Sequence, residues 1–212
     1  MNGHLFVRAG VRAGRTVLLE SVGTFPLQAM RPHPAARPEG GISLVVLLSG
    51  GLLDGDDVVI EVVLEPGAHL ALRTQAATQV HAGRSRARLH ARVGKHASLS
   101  YLPHALVPHA QADYHGQAAI EMHASARVLL AEVLAPGRLS YGEQFAFTRV
   151  QLDLDVWCDG ALVARERGLV QPGAAMQAAQ FGAATHTAGV YMLGELLPAF
   201  DLVACADTQV GR

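Results

Sequence analysis

At 212 residues the chain is long enough for one domain that buries roughly 70% of the surface its unfolded form exposes, so no disulfide framework is needed to stabilise it. Seventeen basic residues against eighteen acidic give a formal charge of −1, and no basic block or aromatic-rich basic stretch is present to track a phosphate backbone, which argues against a nucleic-acid partner. Two distant cysteines, Cys158 and Cys205, without a CxxC pair, exclude a thiolate zinc site.

Half of the residues are hydrophobic but only 5% are aromatic, so the core has to be built from Ala, Val and Leu. The N-terminus lacks the apolar centre of a signal sequence, and the most apolar run, Ile42 to Leu53, is too short to cross a bilayer and is broken by glycines. A cytoplasmic chain of one domain over residues 1–212, with no membrane partner, is the expectation. Around RTVLLESVGTFPLQAM, residues 15–30, apolar positions alternate as in one or two strands. Arg31 to Gly41, with three prolines and two glycines, reads as a loop that continues neither a ladder nor a helix. ISLVVLL, residues 42–48, is a buried-strand pattern, and SGGLLDGDD after it is a set of tight turns.

From Val58 the sequence repeats as strand, turn, strand. Ala68, Ala97 and Ala126 fall 29 residues apart, and the columns Ile60, Leu89, Ala118 and Leu70, Leu99, Val128 share one parity with them. The opposite parity holds Glu61, His90, His69, Ser98 and Arg127 and is expected to be wet. Arg92 and Glu121 share a column and are expected side by side. The predicted fold is mainly β, with stacked strand layers of solenoid or sandwich type on a period of about 29 residues. Beyond it come a turn at Pro136 and Gly137, an alternating strand QLDLDVW, a hairpin signal at Asp159 and Gly160, and a second strand. One or two short helices are predicted over residues 173–186 and 197–207, in a C-terminal appendage spanning 172–212.

Eight of the eleven histidines lie between His69 and His123. No HxH or HExxH spacing accompanies them, so surface and turn roles are expected, with a His-rich metal-binding protein or an enzyme of unknown substrate as the alternative reading. Asp54 to Asp57 lacks the distal glutamate of an EF-hand loop. There is no phosphate-binding glycine loop and no GxSxG, so no catalytic residue is assigned.

Four blocks, SGGLLDGDDVVIEVVLEPGAHLALRTQAATQVH, YLPHALVPHAQADY, AEVLAPGRLSYGEQFAF and WCDGALVARERGLV, together resemble the urease accessory protein UreD (UreH) family in order and spacing. The resemblance rests on Gly50, Gly51, Gly55 and Asp56, on Thr74, Gln75, Ala76, Ala77 and Thr78, on Pro103 and Pro108, and on Glu132, Pro136, Gly137, Arg138, Gly142 and Glu143. It departs from the family pattern at Gln79 and His81, where a lysine and an aromatic are frequent, and at His109, where a phenylalanine is frequent. The resemblance implies a non-enzymatic chaperone that binds urease apoprotein and UreF, reaches the GTPase UreG through UreF, and serves nickel insertion without a tightly bound cofactor. Thr74 to Thr78 is then a small-residue segment for close packing or for lining a narrow passage. Asp56, Glu132 and Glu143 are candidate weak, transient nickel contacts, because hard carboxylates release a cation that His or Cys sites would trap. Their structural alternatives are a turn cap for Asp56, an arginine pair for Glu132 and closure of the Gly142 turn for Glu143.

Overall fold

The computed structural model describes residues 2–35, 40–173, 181, 182 and 184–194. Alternating sequence becomes alternating burial: along β6 (Asp57–Leu64) Val58, Ile60, Val62 and Leu64 point inward, and the residues between them are half-buried. The same parity rule places Leu89, Ala91 and Val93 of β9 (Gly83–Val93), and Ala118, Ile120 and Met122 of β12 (Ala112–Met122), in the core.

Two mixed sheets result. The first has seven strands in the order β15 (Ala161–Val170), β14 (Arg149–Cys158), β12, β9, β6, β1 (Asn2–Arg12) and β2 (Arg15–Gly23). The second runs β3 (Leu27–Ala29), β5 (Ile42–Leu48), β7 (His69–Thr74), β10 (Ser98–Tyr101), β13 (Arg127–Leu134), β11 (Leu106–Pro108) and β8 (Thr78–Val80). To it are added β4 (His33–Pro34) on β5 and β16 (Thr187–Leu193) on β13. Apolar residues from both sheets meet in one cluster.

Within the parallel ladders β6–β9–β12 and β7–β10–β13, partners are 29 residues apart: Val58 pairs with Ala87 and Ala87 with Gly116, while His69 pairs with Ser98 and Ser98 with Arg127. Each unit crosses from the first sheet to the second through a turn closed by a backbone hydrogen bond, Ala68 N–H to Glu65 O, Ala97 N–H to Gly94 O and Ala126 N–H to His123 O. The three alanines are fully buried, since a larger side chain there would separate one layer from the next. Antiparallel pairs are β2 on β1, β15 on β14, β3 and β4 on β5, and β16 on β13, whereas β11 and β8 end the second sheet in parallel pairing. The architecture is therefore a pair of mixed sheets and not the uniform parallel stack of a solenoid.

Three details differ from expectation. The Pro-rich link carries the two-residue strand β4, tolerated because it lies outside β5 at the sheet margin, where a missing N–H is not needed for a further partner. Ser98 and Ser100, on the parity expected to be wet, are buried because β10 lies between β7 and β13; Ser98 Oγ hydrogen-bonds His69 Nδ1 at 2.8 Å. The helix expected over 173–186 falls mostly, and that over 197–207 wholly, outside the described residues, and Thr187–Leu193 within the expected appendage is a strand of the second sheet. Arg92 and Glu121 do lie side by side, 3.6 Å apart. Asp159 and Gly160 both have positive φ, the type I′ geometry that suits the β14–β15 hairpin.

Candidate functional site

The segment Thr74 to Thr78 leaves β7 and carries the chain to β8. Its backbone is held on two sides, Gln75 N–H donating to Val46 O and Thr78 N–H to Ala105 O. Thr74 Oγ1 accepts from His104 N–H at 2.9 Å. Gln75 and Ala76 are exposed and Ala77 is half-buried. Thr74 and Thr78 also line a cavity of about 130 Å³ between the sheets, together with Pro103, His104, Tyr101 and Glu132.

Glu132 is the acidic residue of that cavity, which Arg88 also lines. It sits on the inward parity of β13, and among the described residues no cation pairs with it, contrary to the arginine partner considered from the sequence. Burial first, then the nearby Glu166 and Asp153 carboxylates, push its carboxyl up to about 7. Tyr101 and Tyr114 lie against the same cavity; burial, with Glu132 adding to it, raises Tyr101 to about 12 and Tyr114 further. Tyr191 of β16, which hydrogen-bonds Glu166, is raised by the same causes. The phenols therefore stay protonated and offer O–H groups beside a carboxyl that changes charge near neutrality. These tyrosines carried no motif signal, since a lone tyrosine on an apolar parity reads as core.

The glycine turns meet the other blocks at one rim. Gly51 has φ +76, and a Cβ there would sit 2.5 Å from Gln79 O, which explains a glycine where Leu52 N–H must reach that same carbonyl. Asp56 is buried and caps its turn by accepting from Leu53 N–H at 2.8 Å, while Gly55 N–H donates to Arg84 O. Pro108 is buried in β11, which pairs with β8 so that Gln79 lies against Val107. From Pro136 to Glu143 the chain turns back on itself around the 3-10 turn Leu139–Tyr141, which ends at Gly142 in the left-handed region. A Cβ on Gly137 would meet Glu143 O at 2.5 Å. Glu143 accepts from Ala110 N–H and from Arg138, whose Nε is 2.8 Å away and whose guanidinium lies 5.0 Å over the Tyr141 ring. Burial alone would raise Glu143, but the bonds from Arg138 and Ala110 hold its carboxyl below the usual range.

Next to Ala110, His109 and His81 meet edge to face with ring centroids 4.5 Å apart. His109 Nε2 donates to Gln79 Oε1 at 2.8 Å, and His81 Nε2 donates to Gly50 O at 3.1 Å. Burial, then His81 and Arg138, lower the His109 pKa against the opposing effect of Glu143, which keeps that imidazole neutral at physiological pH. Gln79, His81 and His109, the three departures from the sequence pattern, are thus one contact cluster.

The three candidate carboxylates do not converge: Asp56 is in the β5–β6 turn, Glu132 faces the inter-sheet cavity and Glu143 is tied to Arg138 and Ala110. Among the described residues no group of three or more His, Cys, Asp or Glu side chains is placed to hold a metal. Half-buried His69, His109, His115 and His123 are hydrogen-bonded, and His90, His96 and His104 are exposed. No helix among the described residues is long and apolar enough to cross a membrane.

The glycine turns, the small-residue segment and the Arg138–Glu143 loop are thus knit into one rim beside the inter-sheet cavity of an all-β scaffold. A model of the UreD urease accessory protein family matches residues 1–210, and the chain belongs to that family. It is 34% identical to the urease accessory protein UreD of Sporosarcina pasteurii over 155 residues, 70% of this chain and 60% of that protein. It is 32% identical to UreD of Opitutus terrae over 200 residues, 92% of this chain and 73% of that protein. With UreD 2 of Synechococcus sp. (strain JA-3-3Ab) it shares 41% identity over 109 residues, 51% of this chain and 41% of that protein. The match thus spans between two fifths and three quarters of these relatives' own length.

Proposed function

We propose that this chain is a non-catalytic accessory protein of urease maturation, a cytoplasmic scaffold that bridges urease apoprotein to UreF and, through UreF, to UreG while nickel is inserted. The observation that carries this reading is the family match over residues 1–210. The rim supports it, because interlocked turns held by backbone hydrogen bonds present a pre-formed surface that loses little entropy when a partner docks. Of the carboxylates considered as weak nickel contacts, Asp56 and Glu143 are engaged by Leu53 N–H and by Arg138 with Ala110 N–H. Glu132 is the one turned to a cavity, and we place transient contact with the cation there.

The test is co-expression of the full chain with the urease subunits and the remaining accessory proteins, followed by purification of urease and measurement of its nickel content. Omitting the chain should leave nickel-poor urease, and pull-down of the chain should bring UreF and urease with it. Glu132→Gln should leave those complexes intact and lower the nickel content. Fully loaded urease without the chain overturns the maturation reading; full loading with Glu132→Gln overturns only the assignment of that residue.

A further inference from the structure

The imidazoles of His81 and His109 share a feature that neither folding nor the proposed scaffold role requires. A carbonyl oxygen can only accept, so the 3.1 Å contact of His81 Nε2 with Gly50 O and the 2.8 Å contact of His109 Nε2 with Gln79 Oε1 put a proton on Nε2 of both rings. In the neutral imidazole the remaining nitrogen, Nδ1, then carries a lone pair. Neither Nδ1 has a hydrogen-bond partner among the described residues. Two neighbouring rings, each oriented by an oxygen acceptor on one nitrogen and with the other open, have the outer-shell arrangement that accompanies metal-ligating histidines. The ring centroids lie 4.5 Å apart, both rings are half-buried, and each is anchored to a constrained element: Gly50 lies in the glycine turn, Gln79 within β8, and His109 just after β11, which pairs with β8.

We propose that His81 and His109 form a two-imidazole site for a borderline divalent transition cation, Ni²⁺, Cu²⁺ or Zn²⁺, bound through Nδ1 with solvent completing the coordination. Imidazole nitrogen suits these ions, and Ca²⁺ or Mg²⁺ would find no oxygen cage there. With two protein donors the site exchanges its ion readily, in keeping with the lack of any three-residue cluster among the described residues. The inference rests on these two rings and their acceptors and is independent of the maturation reading.

The experiment uses the full chain and the metal alone. Calorimetric titration with NiCl₂ should show one bound equivalent whose affinity falls at least tenfold in His81→Phe and in His109→Phe, substitutions that keep an aromatic ring in the packing. Gln79→Ala, which removes only the acceptor that orients His109, should weaken binding by roughly 10–100-fold. On the unaltered protein, Zn²⁺ should shift the ¹⁵N resonances of the His81 and His109 Nδ1 atoms. Unchanged affinity in folded variants, no binding by the unaltered chain, or Zn²⁺-induced shifts confined to other histidines would each overturn the proposal. The resonance measurement needs no substitution, so it decides the matter even if a variant fails to fold.

Discussion

Glu132 is an acidic group held where its charged form is disfavoured, and this makes its contribution to stability depend on pH. Its carboxyl is raised from 4.5 to about 7, so below pH 4.5 it is neutral whether the chain is folded or not. As pH rises from 4.5 through 7 the unfolded chain ionises first, the native state is the one that keeps the proton, and stability falls by on the order of 3 kcal/mol. Glu132→Gln, which resembles the neutral acid, should leave denaturant midpoints unchanged at pH 4 and raise stability at pH 8; equal stabilities at pH 8 would refute the burial argument. Glu143 behaves in the opposite sense. Its carboxylate satisfies Ala110 N–H and the half-buried Arg138, so Glu143→Ala strands a donor and a cation and should cost about 1–3 kcal/mol in urea unfolding. Its depressed pKa places that stabilisation above the ordinary carboxylate range, to be lost as pH falls through the lower folded value.

Adjacent glycines in the turn after β5 do different work. Gly50 has φ +79 with nothing within 4 Å of a built Cβ, so Gly50→Ala should cost only the left-handed backbone strain, about 1–2 kcal/mol. Gly51→Ala adds a clash with the Gln79 carbonyl 2.5 Å away, and its thermal midpoint should lie clearly below that of Gly50→Ala; equal midpoints would show that β8 yields at no cost. At the margin of the first sheet, β15 has no strand on its outer side among the described residues, while Leu162, Val163 and Leu169 are exposed. Such an edge invites pairing between molecules unless a partner covers it. Val163→Lys should raise the soluble fraction of the chain expressed alone without shifting its melting temperature, as light scattering and calorimetry would report.

Across the whole molecule, β9 lies at the centre of the first sheet, with β6 and β12 parallel on either side. Its amides should be the slowest to exchange in native-state hydrogen exchange, and those of the two-residue β4 among the fastest, because opening β9 breaks ladders on both flanks. Fast exchange along β9 would contradict the paired-sheet arrangement. In the same core, Ile120→Ala should cost about 2–5 kcal/mol, since a fully buried side chain tightly enclosed by both sheets leaves a cavity.

The β character, the inward parity of Ile60, Leu89 and Ala118, the hairpin at Asp159 and Gly160, and the 29-residue spacing that recurs in the parallel ladders were all legible in the sequence, because alternation and turn chemistry are local properties of the chain. The motif blocks were legible as well, and they carried the family. Tertiary structure alone decided the rest. Which carboxylate would be left without a cation depended on neighbours from other strands: Glu132 faces Glu166 and Asp153, whereas Glu143 finds Arg138 five residues before it. Burial of Ser98 required β7 and β13 to flank β10, and the meeting of His81 with His109 required β8 to pair with β11. Spacing along a chain sets the face on which a side chain stands, but the dielectric around it and the group opposite are fixed only when distant strands are brought into register.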